Sequence, residues 1–204
     1  MKFEKIEDII KYEANAILNI PIDYNYPKAV EILYQRVHKQ RGKVVASGMG
    51  KAGQIALNIA TTLSSTGTPA VFLHAADAQH GDLGVIQQND VLLFVSNSGK
   101  TNEIIRLLEL ARNLYAELPL ILITGNPEGT LSKLADALLL TGSPQEVCPL
   151  GLTPTTSTTV MTVIGDILVS MMIKKIGFTA EQYAKRHHSG YLGEKSRIIS
   201  KQND

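Results

Sequence analysis

Apolar residues recur at helical spacing along the first forty positions. Ile6, Ile9, Ile10 and Ile17 mark one run from about Glu4 to Asn19, and Val30, Leu33, Tyr34 and Val37 mark a second from about Tyr26 to Lys39. Pro21 and Pro27 punctuate the link between them. After that lead-in the pattern changes to short apolar runs alternating with amphipathic stretches. It predicts strands at Val44–Ala46, Ala70–Leu73, Val91–Val95, Leu118–Ile123 and Ala137–Leu140. It predicts helices at about Lys51–Ser64, from Ile104 through Leu114, at Pro154–Lys175 and at Thr179–Arg186. The run Val91-Leu92-Leu93-Phe94-Val95 has no polar alternation, the mark of a strand buried on both faces. Together these elements predict a three-layer α/β sandwich around a five-stranded parallel sheet in flavodoxin-like order. No repeat, low-complexity tract or linker interrupts the chain, so residues 1–204 read as one domain with a helical lead-in over about residues 1–40. The lead-in has no strands of its own to cover and is expected to serve as an interface between subunits.

In that order strands 1 and 3 are neighbours where the winding reverses, and ligands bind at the carboxyl ends of strands there. Two loops then face each other: Ser47-Gly48-Met49-Gly50-Lys51 and Ser96-Asn97-Ser98-Gly99. At the second loop a buried strand turns into a helix through hydroxyls and a glycine. A helix start offers unpaired N–H groups and partial positive charge, Ser96, Ser98 and Thr101 add hydroxyls, and Gly99 permits close approach. That chemistry suits a phosphate, although serines at such a corner also serve as ordinary caps.

Gly48-Met49-Gly50-Lys51-Ala52-Gly53 matches the G-x-G-x-x-G dinucleotide fingerprint. The ribose-binding acid is missing, because strand 2 ends Phe72-Leu73-His74 and the first acid is Asp77. The P-loop pattern fails as well. Tight strand–helix packing accounts for the glycines but not for Lys51.

Composition narrows the class. Lys and Arg total 20 against 19 Asp and Glu, so no global field recruits nucleic acid or an anionic membrane. Cys148, the single cysteine, excludes an internal disulfide and suits a reducing compartment. The charged start of the chain lacks a signal-peptide core. The apolar run Val160–Ile173 is expected to be too short for a bilayer and carries Asp166. These features lead us to expect a cytoplasmic protein.

Several residues can carry chemistry. Lys51 beside the switch point can bind phosphate or stabilise an oxyanion, or be a solvated first-turn lysine. Glu103, early in the helix after the serine corner, can act as a base or simply suit the helix dipole. His74, Asp77, His80 and Asp82 after strand 2 form a polar rim for substrate hydroxyls rather than a metal set, since the histidines are not at helical spacing. Gly67 and Thr68, just before strand 2, are candidates for the same rim. The Ser/Thr cluster from Thr155 to Thr159 caps a helix or points hydroxyls at a ligand. His187 and His188 close the last predicted helix, where cations are expected, and can deliver a titratable group.

With these residues in view, the chain resembles the sugar isomerase (SIS) domain family and, within it, the arabinose-5-phosphate isomerases. The resemblance spans nearly the whole chain. It rests on Gly67-Thr68-Pro69, His80-Gly81-Asp82-Leu83-Gly84, Cys148-Pro149-Leu150-Gly151-Leu152-Thr153-Pro154-Thr155 and Gly177-Phe178-Thr179-Ala180-Glu181. It implies reversible isomerisation of D-ribulose 5-phosphate and D-arabinose 5-phosphate in the Kdo and lipopolysaccharide pathway, with no cofactor or metal. It makes Lys51, Glu103, Glu146 and His187 the catalytic candidates. Ser47, Gly48, Gly67, Thr68, His74, His80, Ser96, Asn97, Ser98, Thr101 and Thr155 are the substrate-binding candidates. A homotetramer is implied, with His80 or His187 reaching a neighbouring subunit. The alternatives are another SIS isomerase acting on a hexulose or heptulose phosphate, and a non-catalytic sugar-phosphate sensor. The family reads His-Pro-Gly-Gly where this sequence has His187-His188-Ser189-Gly190. Its full-length members carry a pair of CBS domains beyond the SIS domain, which this sequence does not reach. Control is therefore expected at the substrate site itself, by a later acid sugar of the pathway.

Overall fold

The computed structural model describes residues 5–202. The first predicted helix begins at Ile6 as α1 (Ile6–Leu18), and Glu4 lies outside the described residues. The second is α2 (Asn25–Leu33), which runs into a π-helical turn over Tyr34–Lys39. Strands β1 (Val44–Gly48), β2 (Ala70–Phe72), β3 (Val91–Val95), β4 (Leu120–Thr124) and β5 (Ala137–Leu140) follow. They form one parallel sheet in the order β2-β1-β3-β4-β5, as the alternating pattern predicts. Strand β4 starts later than expected because Pro119 has no N–H to give the ladder, although its carbonyl accepts from Leu92.

The helices are α3 (Gly50–Ser65), α4 (Ala75–Ala78), α5 (Asn102–Leu114), α6 (Thr156–Ile176), α7 (Ala180–Ala184) and α8 (Gly190–Gln202). Helix α8 was not predicted, because its sequence is polar and glycine-containing, and it is held by packing on α7. Side-chain parity divides the core. Val91, Leu93 and Val95 of β3 join α2, α3 and α6 on one face. Leu92 and Phe94 join α4 and α5 on the other. At the amino end of the sheet, buried Asp90 accepts from Lys43 N at 2.9 Å, Lys43 Nζ at 2.7 Å and Gln87 N at 2.7 Å.

Two expectations need correction. Helix α6 has 21 residues, long enough by length and composition to span a bilayer, because helical packing carries it past both ends of the apolar run. Its Val160, Ile164, Leu168 and Met172 lie in the core beneath the sheet, which identifies it as a central core helix. The lead-in, too, contributes to the core. Helix α2 buries Tyr26, Ala29, Val30 and Leu33 against α6 and β5. Helix α1 buries no residue, and leaves Ile6 74% and Leu18 80% exposed.

Candidate functional site

A cleft of about 330 Å³ opens at the carboxyl ends of β1 and β3, where the winding reverses. Three helix starts converge on it. Met49, Lys51 and Ala52 come from the start of α3, Ser96, Asn97, Ser98 and Thr101 from the β3–α5 corner, and Pro154, Ser157 and Thr158 from the start of α6. Each helix start contributes partial positive charge. Lys51 is the one charged side chain lining the cleft, and among the described residues it has no ion-pair partner. A site with an unpaired cation, hydroxyls and no lining carboxylate suits a small anion.

The β3–α5 corner is held from below. Gly99 takes φ of +61°, which a residue with a side chain adopts only under strain, and its carbonyl accepts from Leu131 N at 3.0 Å. Asn126 Nδ2 donates to the Ser98 carbonyl at 2.8 Å, and Gly125 N to that of Asn97 at 3.1 Å. Thr101 is the N-cap of α5, yet its hydroxyl pairs with Ser96 Oγ at 2.8 Å instead of capping the helix. The first-turn N–H groups of α5 therefore have no side-chain cap.

At the facing corner, a Cβ on Gly53 would lie 2.6 Å from the Gly48 carbonyl oxygen, and one on Gly48 would lie 2.9 Å from Ala52. Close packing of β1 on α3 thus accounts for the glycines of the G-x-G-x-x-G match. Ser47 is fully buried and donates to the Leu73 carbonyl at 2.6 Å, so its hydroxyl is committed within the fold.

The remaining candidates stand apart from the cleft to different degrees. Glu103 is exposed in the first turn of α5, two positions past Thr101. Glu146 Oε2 accepts from Thr155 N at 2.7 Å, Thr155 Oγ1 at 2.9 Å and Ser157 N at 3.2 Å, which makes it the cap of α6. Burial acts to raise this carboxyl, but the bonds from Ser157 and Thr155 outweigh it and hold it below the usual carboxylate range. His74, at the start of α4, has a buried Nδ1 without a hydrogen-bond partner, the nearest carboxylate oxygen being Asp77 Oδ2 at 3.7 Å. His80 is exposed in the turn beyond α4.

Gly67, Thr68 and His187 lie elsewhere. Thr68 is buried at the amino end of β2, with His38 Nε2 at 3.1 Å from its hydroxyl, and Phe178 packs over Gly67. His187 stacks on Tyr183, whose ring lines a pocket with Thr66 and Ile173 at the far end of α6 from Ser157. A 21-residue helix is about 30 Å long, so His187 and Lys51 of one chain do not meet on one small substrate. Ser157 and Thr158, which line the cleft, were foreshadowed only by the Ser/Thr run before an apolar helix. Cys148, in the loop before α6, has its sulfur bonded by the Thr153 hydroxyl and by the N–H groups of Thr153, Leu150 and Leu152, which push its thiol down to about 6.

Comparison with known proteins agrees with this geometry. Residues 37–171 match the SIS domain. The arabinose 5-phosphate isomerase KdsD of Yersinia pestis is 46% identical over 186 residues, 91% of this chain and 55% of that relative. The chain thus spans about half the length of the curated relatives it matches. Among solved structures, a Bacteroides fragilis protein assigned as a phosphosugar isomerase involved in capsule formation is 60% identical, with TM-score 0.90 over 91% of this chain and 97% of that one. An Escherichia coli CFT073 protein in complex with arabinose 5-phosphate is 31% identical, with TM-score 0.80 over 92% of this chain and 100% of that one. The fold, the cleft at its switch point and these matches make the chain a member of the SIS domain family.

Proposed function

We propose that this protein interconverts D-ribulose 5-phosphate and D-arabinose 5-phosphate, supplying the Kdo and lipopolysaccharide pathway from the cytoplasm. The observation that carries the reading is the cleft itself, where three helix starts, Lys51 and the Ser96–Thr101 hydroxyls surround a space free of lining carboxylates. Identity of 46% to an arabinose 5-phosphate isomerase supports this substrate among sugar phosphates.

The phosphate sits on the N–H groups of α5 with Ser98 and Thr101. Isomerisation moves one proton between C1 and C2 and another between O1 and O2 through a cis-enediol. Glu103 stands outside the lining, in the first turn of α5 beside Thr101; with the sugar bound it takes the carbon-bound proton as general base and returns it to the neighbouring carbon. Lys51 stabilises the enediolate oxygen by charge. Glu146 keeps the start of α6, and with it Ser157, in register. The ketose cannot close a five-membered ring because its O5 is phosphorylated, whereas the aldose can. His187 opens that ring: it accepts the anomeric hydroxyl proton as the C1–O4 bond breaks, and the proton goes to O4.

In this reading the protein works as a homotetramer in which His80 or His187 completes a neighbour's cleft. The exposed apolar side chains of α1 suit such an interface. A later acid sugar of the pathway occupies the same cleft as a competitive inhibitor. The deciding experiment is incubation of ribulose 5-phosphate with the protein and identification of the product by NMR. Arabinose 5-phosphate is expected. Unchanged ketose overturns the enzymatic reading, and a different aldose overturns the stereochemistry. Light scattering tests the assembly: a fully active monomer excludes the shared site.

A further inference from the structure

His187 and His188 adjoin in sequence, but the structure treats them differently. His188 is exposed. His187 lies face to face on the Tyr183 ring, with centroids 3.7 Å apart and planes within 7°. Its Nδ1 is 3.1 Å from the Tyr183 carbonyl oxygen, which also takes the His187 backbone N–H at 3.1 Å. A carbonyl only accepts, so Nδ1 must carry the proton. A neutral imidazole protonated at Nδ1 has its lone pair on Nε2.

The mount is itself fixed. Tyr183 meets Phe178 edge-on at 6.5 Å, and Phe178 rests over Gly67. The α7 start is closed by a capping box in which Gln182 N donates to Thr179 Oγ1 at 3.2 Å and Thr179 N to Gln182 Oε1 at 3.0 Å.

We infer that Tyr183 is a positioning residue: its ring and carbonyl hold His187 as the Nδ1–H tautomer and leave the unprotonated Nε2 as the atom that accepts and returns the substrate's proton. This rests on the isomerase reading and on the role of His187 in it. It also selects His187 over His188. The stack matters because the carbonyl alone leaves the imidazole free to turn about its χ angles. An aromatic pair is strong enough to change the population of a correctly aimed ring by up to about tenfold.

The experiment uses the full chain with arabinose 5-phosphate as substrate, and compares Tyr183→Leu, Tyr183→Phe and His187→Ala. Nitrogen-15 NMR of the histidine side chains reads the tautomer independently of activity. In the wild type His187 is expected as Nδ1–H. Tyr183→Leu should shift it towards Nε2–H and lower kcat about tenfold, with KM changed by less than about twofold. Tyr183→Phe keeps the stack and should restore both. An Nε2–H tautomer in the wild type overturns the inference, as does Tyr183→Leu at normal turnover when His187→Ala is inactive. Normal turnover in His187→Ala overturns instead the catalytic role on which the inference depends. Should Tyr183→Leu not fold, the wild-type tautomer and the Tyr183→Phe result decide.

Discussion

Glu146 is the residue on which sequence and structure pull apart, and replacing it with glutamine separates the two roles. Its Oε2 accepts bonds at 2.7, 2.9 and 3.2 Å from Thr155 and Ser157, at the start of a helix whose first turn lines the cleft. Glu146→Gln keeps an oxygen acceptor and removes the charge. A hydrogen bond to a charged group is worth about 1 kcal/mol more than a neutral one, and the Thr155 hydroxyl can turn to water, so the loss is about 2 kcal/mol. For a chain of this size that lowers Tm by about 4–8 °C. The carboxyl is held below its usual range in the folded state. The stability it adds is therefore fully present above the ordinary glutamate pKa of about 4.3 and is lost as pH falls through the lowered folded value. Scanning calorimetry from pH 7 downward should show the gap between wild type and Glu146→Gln closing below about pH 4. Turnover should fall less than about tenfold, with KM rising as Ser157 and Thr158 shift. A loss of a hundredfold or more with unchanged Tm would make Glu146 the base and refute its role as a cap.

Glu103→Gln, which keeps shape and removes basicity, should cut turnover by at least about a hundredfold while sugar-phosphate binding survives in calorimetry; near-normal turnover moves the base elsewhere. The eight-carbon acid sugar or its nucleotide-activated form should inhibit competitively with ribulose 5-phosphate, and Lys51→Ala should weaken that inhibition. No inhibition at millimolar concentration, or a noncompetitive pattern, excludes it. Cys148 should alkylate with iodoacetamide with a pH midpoint near 6, and Thr153→Val should move the midpoint up by removing the first bond to its sulfur.

Local pattern alone was enough for the sheet and for half the cleft. The unbroken run Val91–Val95 demands burial on both faces, and only a strand in a covered parallel sheet supplies it. The change to helical spacing after Ser98-Gly99 then places hydroxyls at a helix start, so Ser96, Ser98 and Thr101 were legible as neighbours of Lys51 once strands 1 and 3 were adjacent. Other features depend on contacts between distant positions, and no local period records these. Ser47 looks available in sequence but loses its hydroxyl to Leu73, 26 positions away. Glu146 reads as a loop carboxylate until the chain returns and lays the Thr155 and Ser157 N–H groups on it. Gly67, Thr68 and His187 were expected at the cleft by resemblance, yet Gly67 and Thr68 precede the amino end of β2, and helix α6 carries the chain away from the cleft before His187 is reached. Helix α8 has a weak pattern of its own and exists because α7 offers it a surface. Periodicity encodes which face a residue turns to its nearest layer. Which groups meet across layers is decided by how the layers pack.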